Sequence, residues 1–299
     1  MPIRPRRSAL YMPGSNARAL EKAKSLPADA LILDLEDAVA PEAKEAARAQ
    51  VCAAAKAGGY GRREVVIRIN GLDTPWGKAD LEAAAAAAPD AVLVPKPGSA
   101  ADVERATQAL TGAGAPEKTR LWAMIETPLA ILNVAEIAAA AKRPGARLAC
   151  FVMGTNDLVK ETRAELSGDR FPALYWLSAA VTAARAYGLD VLDGVYNSFK
   201  DLDGYRRECV HGRALGFDGK TLIHPDQVAI ANEVFAPPDA EVAFARKVIA
   251  AFDRPENRGK GVITVDGRMV ELLHAEMARR TVAIAEAIAA VSDPPGLTP

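Results

Sequence analysis

The sequence predicts a (β/α)8 TIM barrel followed by a C-terminal helical extension, on three observations. Eight short, nearly continuous apolar bursts succeed one another along the chain, and Ala-rich stretches of helical composition lie between them. Neither a GxGxxG fingerprint after the first burst nor a P-loop is present, which counts against the alternative, an open doubly wound sheet. The 299 residues are close to the size of one such barrel.

The bursts span 8–13, 30–35, 64–69, 91–95, 121–126, 148–153, 190–195 and 219–224, each with the apolar continuity of a strand buried on both faces. Helical spacing is expected over 17–25, 41–57, 76–88, 129–141, 172–187 and 202–215. Pro41 after Ala40 is a helix-start signal and Gly58-Gly59 a stop. After His224-Pro225 and a helix over 226–235 the alternation breaks. Ala236-Pro237-Pro238-Asp239 reads as a linker to a helix over 240–252, a polar loop over 253–261, a strand-like 262–265, a turn at Asp266-Gly267 and a last helix near 269–291. The expected organisation is a catalytic barrel over 1–236 and an extension over 237–299, which either packs on a barrel wall or a neighbouring subunit, or acts as a lid.

Composition excludes several classes. Hydrophobic residues make up 50% and charged residues 25%, so the chain is an ordinary globular one. Lys+Arg 37 against Asp+Glu 38 leaves no overall basic field for nucleic acid, although Arg4, Arg6, Arg7, Arg18, Lys22 and Lys24 make the N-terminus locally basic. No apolar run approaches the ~20 residues of a membrane helix, and the basic stretch before the first burst, which lacks an apolar core, is not expected to be a secretory signal. Cys52, Cys150 and Cys209 are widely spaced and read as core residues of a reduced, cytoplasmic protein. Three scattered histidines do not suit a zinc site.

Barrel chemistry gathers at the carboxyl ends of the strands. The polar residues there are Asp34, Glu36 and Asp37; Arg68 and Asn70; Lys96; Glu126; Asn156 and Asp157; Asp193 and Asn197; and His224. Glu126 ends an otherwise apolar strand, so a cation or strong donor must face it. With Asp157 one strand along and no histidine or thiolate beside them, a hard cation such as Mg2+ fits. The structural alternative is an ion pair from Glu126 to Arg68 and an Asp157 that caps the next helix. Arg68, inside a strand, suits bidentate carboxylate or oxyanion recognition. Lys96 reads as a Schiff-base nucleophile or, more commonly, as a partner for Glu126 or Asp37.

The chain resembles the citrate lyase β-subunit-like and malyl-CoA lyase group of the HpcH/HpaI aldolase/citrate lyase superfamily. The matching stretches are Leu10–Asn16 (LYMPGSN), Leu33–Pro41 (LDLEDAVAP), Ile67-Arg68-Ile69-Asn70, Val94-Pro95-Lys96, Ile125-Glu126-Thr127-Pro128, Gly154–Leu158 (GTNDL), Ile223-His224-Pro225 and Val265–Met269 (VDGRM). The resemblance implies a Mg2+-dependent barrel acting beside a CoA thioester. In it Glu126 and Asp157 match the metal ligands and Arg68 the substrate-binding arginine. Tyr11 and Lys22 fall at the CoA contacts, with Arg18 a neighbouring candidate. Ile223 and His224 match the acyl-site segment, and Asp266 matches a catalytic aspartate on a lid that closes over the adjacent subunit. The chain departs from the pattern at Asn16, where some members carry a basic residue, and at Asn156, where Glu is frequent.

The expected function is Mg2+-dependent carbon–carbon cleavage, or formation, of a β-hydroxyacyl-CoA such as malyl-CoA or citramalyl-CoA, yielding acyl-CoA and a 2-oxo acid. Glu126, with Asn156 beside it, would help bind substrate. Arg68 would steady the enolate, Asp266 would move its proton, and Glu36 and Asp37 would hydrogen-bond water in the site. The alternatives are an acyl-CoA thioesterase on the same scaffold and a metal-dependent aldolase of free 2-oxo acids. A homo-oligomer, trimer or hexamer, is expected.

Overall fold

A computed structural model describes residues 3–166 and 168–292, which form two compact units. One spans Arg6–Glu233; the other comprises the described residues of 1–5 and 234–299. The first is the barrel. Its strands are β1 (Ser8–Pro13), β2 (Ala30–Asp34), β3 (Glu64–Arg68), β4 (Ala91–Val94), β5 (Arg120–Ile125), β6 (Leu148–Met153), β7 (Asp190–Asp193) and β8 (Gly219–Leu222). All eight are parallel, each pairs with its sequence neighbour, and β8 closes on β1 through Ser8↔Lys220 and Ala9↔Thr221. The predicted (β/α)8 barrel is the observed fold.

The helices around it are α1 (Ala17–Ala23), α2 (Lys44–Ala57), α3 (Gly77–Ala87), α4 (Ala100–Gly112), α5 (Pro128–Leu132), α6 (Val134–Ala139), α7 (Thr155–Thr162), α8 (Leu174–Tyr187), α9 (Leu202–Leu215) and α10 (Val228–Phe235). The sequence reading named no helix at α4 or α7. The signal for α4 was Ser99, whose hydroxyl accepts from the Asp102 N–H as an N-cap. The single helix expected over 129–141 breaks at Asn133, where φ is −102° and ψ 10° and the side-chain amide donates to the Gly98 carbonyl.

Period-two alternation decides what faces the barrel axis. Ala9, Ala30, Ile32, Val66, Leu93, Trp122, Met124, Cys150, Val152 and Leu192 pack into one buried cluster, with Tyr11 against it. Two residues beyond Ile32, Val66 and Met124 on the same alternation stand Asp34, Arg68 and Glu126, so the apolar packing ends in a polar layer at the carboxyl ends. At the opposite end Arg6 donates to Glu64 at 2.6 and 2.8 Å, pairs with Asp190 and lies over the Trp122 ring. Cys52, Cys150 and Cys209 are buried and free.

The second unit contains α11 (Asp239–Phe252), a hairpin of β9 (Val262–Val265) and β10 (Arg268–Glu271), and α12 (Leu272–Ser292). The expectation of a helix from residue 269 is corrected: Arg268–Glu271 pairs antiparallel with Val262–Val265. Asp266 and Gly267 both have positive φ, +48° and +75°, which matches the backbone demand of a tight two-residue hairpin turn. Val248, Phe252, Ile263, Val265, Val270 and Ala275 form this unit's core. No helix among the described residues is long and apolar enough to cross a membrane.

Candidate active site

The polar layer is organised around Arg68. Asp34 and Arg68 are register partners on β2 and β3, so their side chains stand side by side. Arg68 Nε donates to Asp34 Oδ1 and Nη2 to Oδ2, both at 2.6 Å. The same carboxylate accepts from the Glu36 and Ala38 backbone N–H groups, folding the loop after β2 back towards β3. Glu36 Oε2 and Asp37 Oδ2 thereby reach Arg68 Nη1 at 2.8 and 3.3 Å. The Tyr11 ring lies 4.9 Å from the guanidinium carbon. Burial alone would lower the Arg68 pKa, but Asp34 and its neighbours outweigh it and hold the group charged.

Lys44 pins this loop from below, donating to the Leu35 carbonyl at 2.9 Å and the Glu36 carbonyl at 2.6 Å. Sequence reasoning missed it, although the signal was there. Lys44 falls on the buried stripe of α2 with Ala47 and Val51, at i, i+3 and i+7, where a lone lysine needs partners.

Glu126 is fully buried. Its Oε1 accepts from the Lys96 backbone N–H at 2.9 Å, while Oε2 has no hydrogen-bond partner among the described residues. Burial pushes its carboxyl up to about 8, with Glu36 and Asp157 adding to the rise and Lys96 and Arg68 opposing it. Gly154 permits this placement, because a Cβ there would lie 2.3 Å from Glu126 Cβ and 2.6 Å from Oε2. Asp157 sits in the first turn of α7. Lys96 Nζ donates to Glu36 Oε1 at 3.0 Å and lies 3.9 Å from Asp157 Oδ1. Burial would lower the Lys96 pKa, but Glu126 and Glu36 raise it, so the amine stays charged and suits an electrostatic partner rather than a Schiff-base nucleophile. Its ammonium contacts Glu36 and Asp157, and Glu126 is its electrostatic partner as expected, held through the backbone N–H; Asp37 instead reaches Arg68. The alternative ion pair from Glu126 to Arg68 does not form; Arg68 is taken up by Asp34, Glu36 and Asp37.

A cavity of about 300 Å3 opens over this layer, lined by Tyr11, Asp37, Arg68, Asn156, Asp157 and Ile223 among others. Asn156 also exchanges hydrogen bonds with Asn197, at 2.7 and 3.3 Å. His224 does not line the cavity. It stacks on Phe199 with ring centroids 4.8 Å apart, and its Nδ1 accepts from the Asp226 N–H. Arg18 and Lys22 are exposed on α1. In the second unit, Asp266 at the hairpin turn accepts from Lys247 at 2.7 Å. Asp193 is a buried structural anion, held by Arg170 at 2.8 and 2.9 Å and Lys220 at 3.0 Å.

Among the described residues no three His, Cys, Asp or Glu side chains converge on one cation position. Two neighbouring carboxylates, one with a buried unpartnered oxygen, fit a hard cation that takes its remaining ligands from water and substrate, as Mg2+ does.

Residues 7–225 match the family described as HpcH/HpaI aldolase/citrate lyase. The chain is 54% identical over 286 residues, 96% of each chain, to a (3S)-malyl-CoA thioesterase of Cereibacter sphaeroides (strain ATCC 17029 / ATH 2.4.9). It is 37% identical over 288 residues to the citrate lyase subunit beta of Escherichia coli (strain K12), covering 95% of this chain and 94% of that protein. Among solved structures it is similar to CitE from Mycobacterium tuberculosis in complex with magnesium, acetoacetate and coenzyme A. The TM-score is 0.70 at 31% identity, over 92% of this chain and 97% of that one.

Proposed function

Because the chain belongs to the HpcH/HpaI aldolase/citrate lyase family, we propose that it is a Mg2+-dependent enzyme of β-hydroxyacyl-CoA thioesters of the malyl-CoA type, and that it hydrolyses the thioester. The unpartnered Oε2 of buried Glu126 beside Asp157 carries the metal dependence. The 54% identity to a malyl-CoA thioesterase favours hydrolysis over the carbon–carbon cleavage expected first from the sequence. That cleavage remains the second reading, supported by the likeness to citrate lyase subunit beta.

Glu126 and Asp157 would hold the cation, which when bound orients the hydroxyl and carboxylate oxygens of the acyl group and draws off their negative charge. Arg68 is the oxyanion partner. With Nε and Nη2 locked on Asp34, its Nη1, which meets Glu36 and Asp37 at 2.8 and 3.3 Å, would turn to the thioester oxygen as charge builds there. Glu36, whose carboxyl is raised chiefly by burial, would take a proton from an attacking water once released by Lys96 or Arg68, while Asp37 would accept a hydrogen bond from that water. The carbon–sulfur bond then breaks and CoA leaves as its thiolate. Tyr11, Arg18 and Lys22 would serve the CoA moiety, with Ile223 bordering the acyl group and Asn156 its distal end, while His224, stacked on Phe199 outside the cavity, would support that segment. In the cleavage reaction Asp266 would move the proton at the α-carbon, supplied by a neighbouring subunit of a homo-oligomer.

The test is to incubate the enzyme with malyl-CoA and Mg2+ and resolve the products. Hydroxy acid plus free CoA means hydrolysis; a 2-oxo acid plus acyl-CoA means cleavage; no turnover with either outcome removes the reading.

A further inference from the structure

Lys96 is the site residue for which neither hydrolysis nor cleavage supplies a role. Its placement is unusual in two ways. Its φ is +51°, a left-handed conformation that a lysine rarely adopts, and it is set between Pro95 and Pro97, which restrict the backbone on both sides. Such a conformation persists only where the surroundings hold it. What it achieves here is a two-pronged contact. The backbone N–H is delivered to Glu126 Oε1, and the ammonium of the same residue to Glu36 Oε1 and towards Asp157 Oδ1. One residue therefore touches both carboxylates assigned to the cation and the glutamate beside them. The side chain is about two-fifths exposed (42%), so the ammonium has a route outward that a buried lysine would lack.

We propose that Lys96 is an internal stand-in for the divalent cation. In the metal-free enzyme its ammonium neutralises Glu36 and Asp157 and keeps the carboxylates gathered. When the cation arrives the ammonium withdraws, while the backbone N–H stays on Glu126 and keeps that ligand aimed. The cation must then displace a charge already in place, so Lys96 sets the affinity and prevents the site from collapsing between turnovers. This inference rests on the metal reading of Glu126 and Asp157 given above.

The experiment is calorimetric titration of Mg2+ into wild-type enzyme and Lys96→Met, which removes the charge and keeps an unbranched chain. Lys96→Met should bind Mg2+ at least about tenfold more tightly. In EDTA it should melt below wild type, and saturating Mg2+ should close that gap. Equal or weaker affinity in the variant overturns the inference while leaving the metal reading intact. Binding by neither protein removes both. A second measurement needs no variant: acetylation of wild-type Lys96, followed by mass spectrometry, should rise on adding Mg2+ while exposed Lys78 stays unchanged. A Lys96 reactivity that stays constant or falls overturns the inference.

Discussion

Asp34 grips Arg68 through both carboxylate oxygens at 2.6 Å, and the register of β2 against β3 places the two side by side. The grip fixes the plane of the guanidinium and leaves Nη1 to Glu36 and Asp37, the nitrogen that would turn to the thioester oxygen in the proposed reaction. Arg68→Lys keeps the charge and loses the fork, so kcat/KM should fall by about 2–4 kcal/mol of transition-state stabilisation. Asp34→Asn, which breaks a buried pair, should cost about 3 kcal/mol of stability by chemical denaturation and lower kcat more than it raises KM. An active, equally stable Asp34→Asn variant would contradict the positioning role.

Glu126 gives a pH signature. Its carboxyl is raised to about 8 by burial, whereas an unfolded glutamate titrates near ~4.3. Between those values the folded protein holds a proton that the unfolded chain has released, so metal-free stability should decline as pH rises through that window and level off above about 8. Glu126→Gln should flatten the slope in urea midpoints measured with EDTA. For the same reason Mg2+ affinity in wild type should climb with pH up to about 8, because binding expels that proton.

Gly154→Ala tests the close approach behind Glu126. The added methyl meets Glu126 Cβ at 2.3 Å, so either Glu126 or the start of α7 must move. We expect a loss of about 1–3 kcal/mol in stability and of at least about tenfold in Mg2+ affinity, read from thermal melts and calorimetry. Unchanged affinity would mean that Glu126 is not a ligand.

Asp266 can be tested by complementation. Asp266→Ala and Glu126→Ala, each expected to be inactive alone in carbon–carbon cleavage, are mixed under conditions that exchange subunits and assayed for that reaction. If Asp266 serves a neighbouring barrel, mixed oligomers regain part of the activity. A mixture as inactive as its parents, with exchange demonstrated, places Asp266 in its own chain's site or outside the chemistry.

How much of this the sequence disclosed follows from local periodicity. The strands were legible because a strand buried on both faces is a run of apolar residues with nothing to interrupt it. Arg68 and Glu126 stood out as charges at the ends of such runs. Asp34 was visible as a strand-end carboxylate, but its bidentate hold on Arg68 depends on the register between two strands, which no single segment encodes. The β10 strand was hidden for the opposite reason. Met269, Leu272 and Leu273 also satisfy helical spacing, and it is the pairing of Arg268–Glu271 with β9 that decides the first four residues. The break at Asn133 needed the Gly98 carbonyl, brought near from 35 residues away.

The foot of the barrel has a bearing on traffic through its head. Arg6, clamped between Glu64 and Asp190 above Trp122, seals the amino-terminal end, and the apolar packing from Ala9 to Leu192 fills the middle. The cavity therefore opens on the side of the strands' carboxyl ends, away from that plug. Under the proposed hydrolysis, an acid held against Glu126 and Asp157 would lie beneath the nucleotide-bearing portion, and the expected order of release would be CoA first and the small acid second.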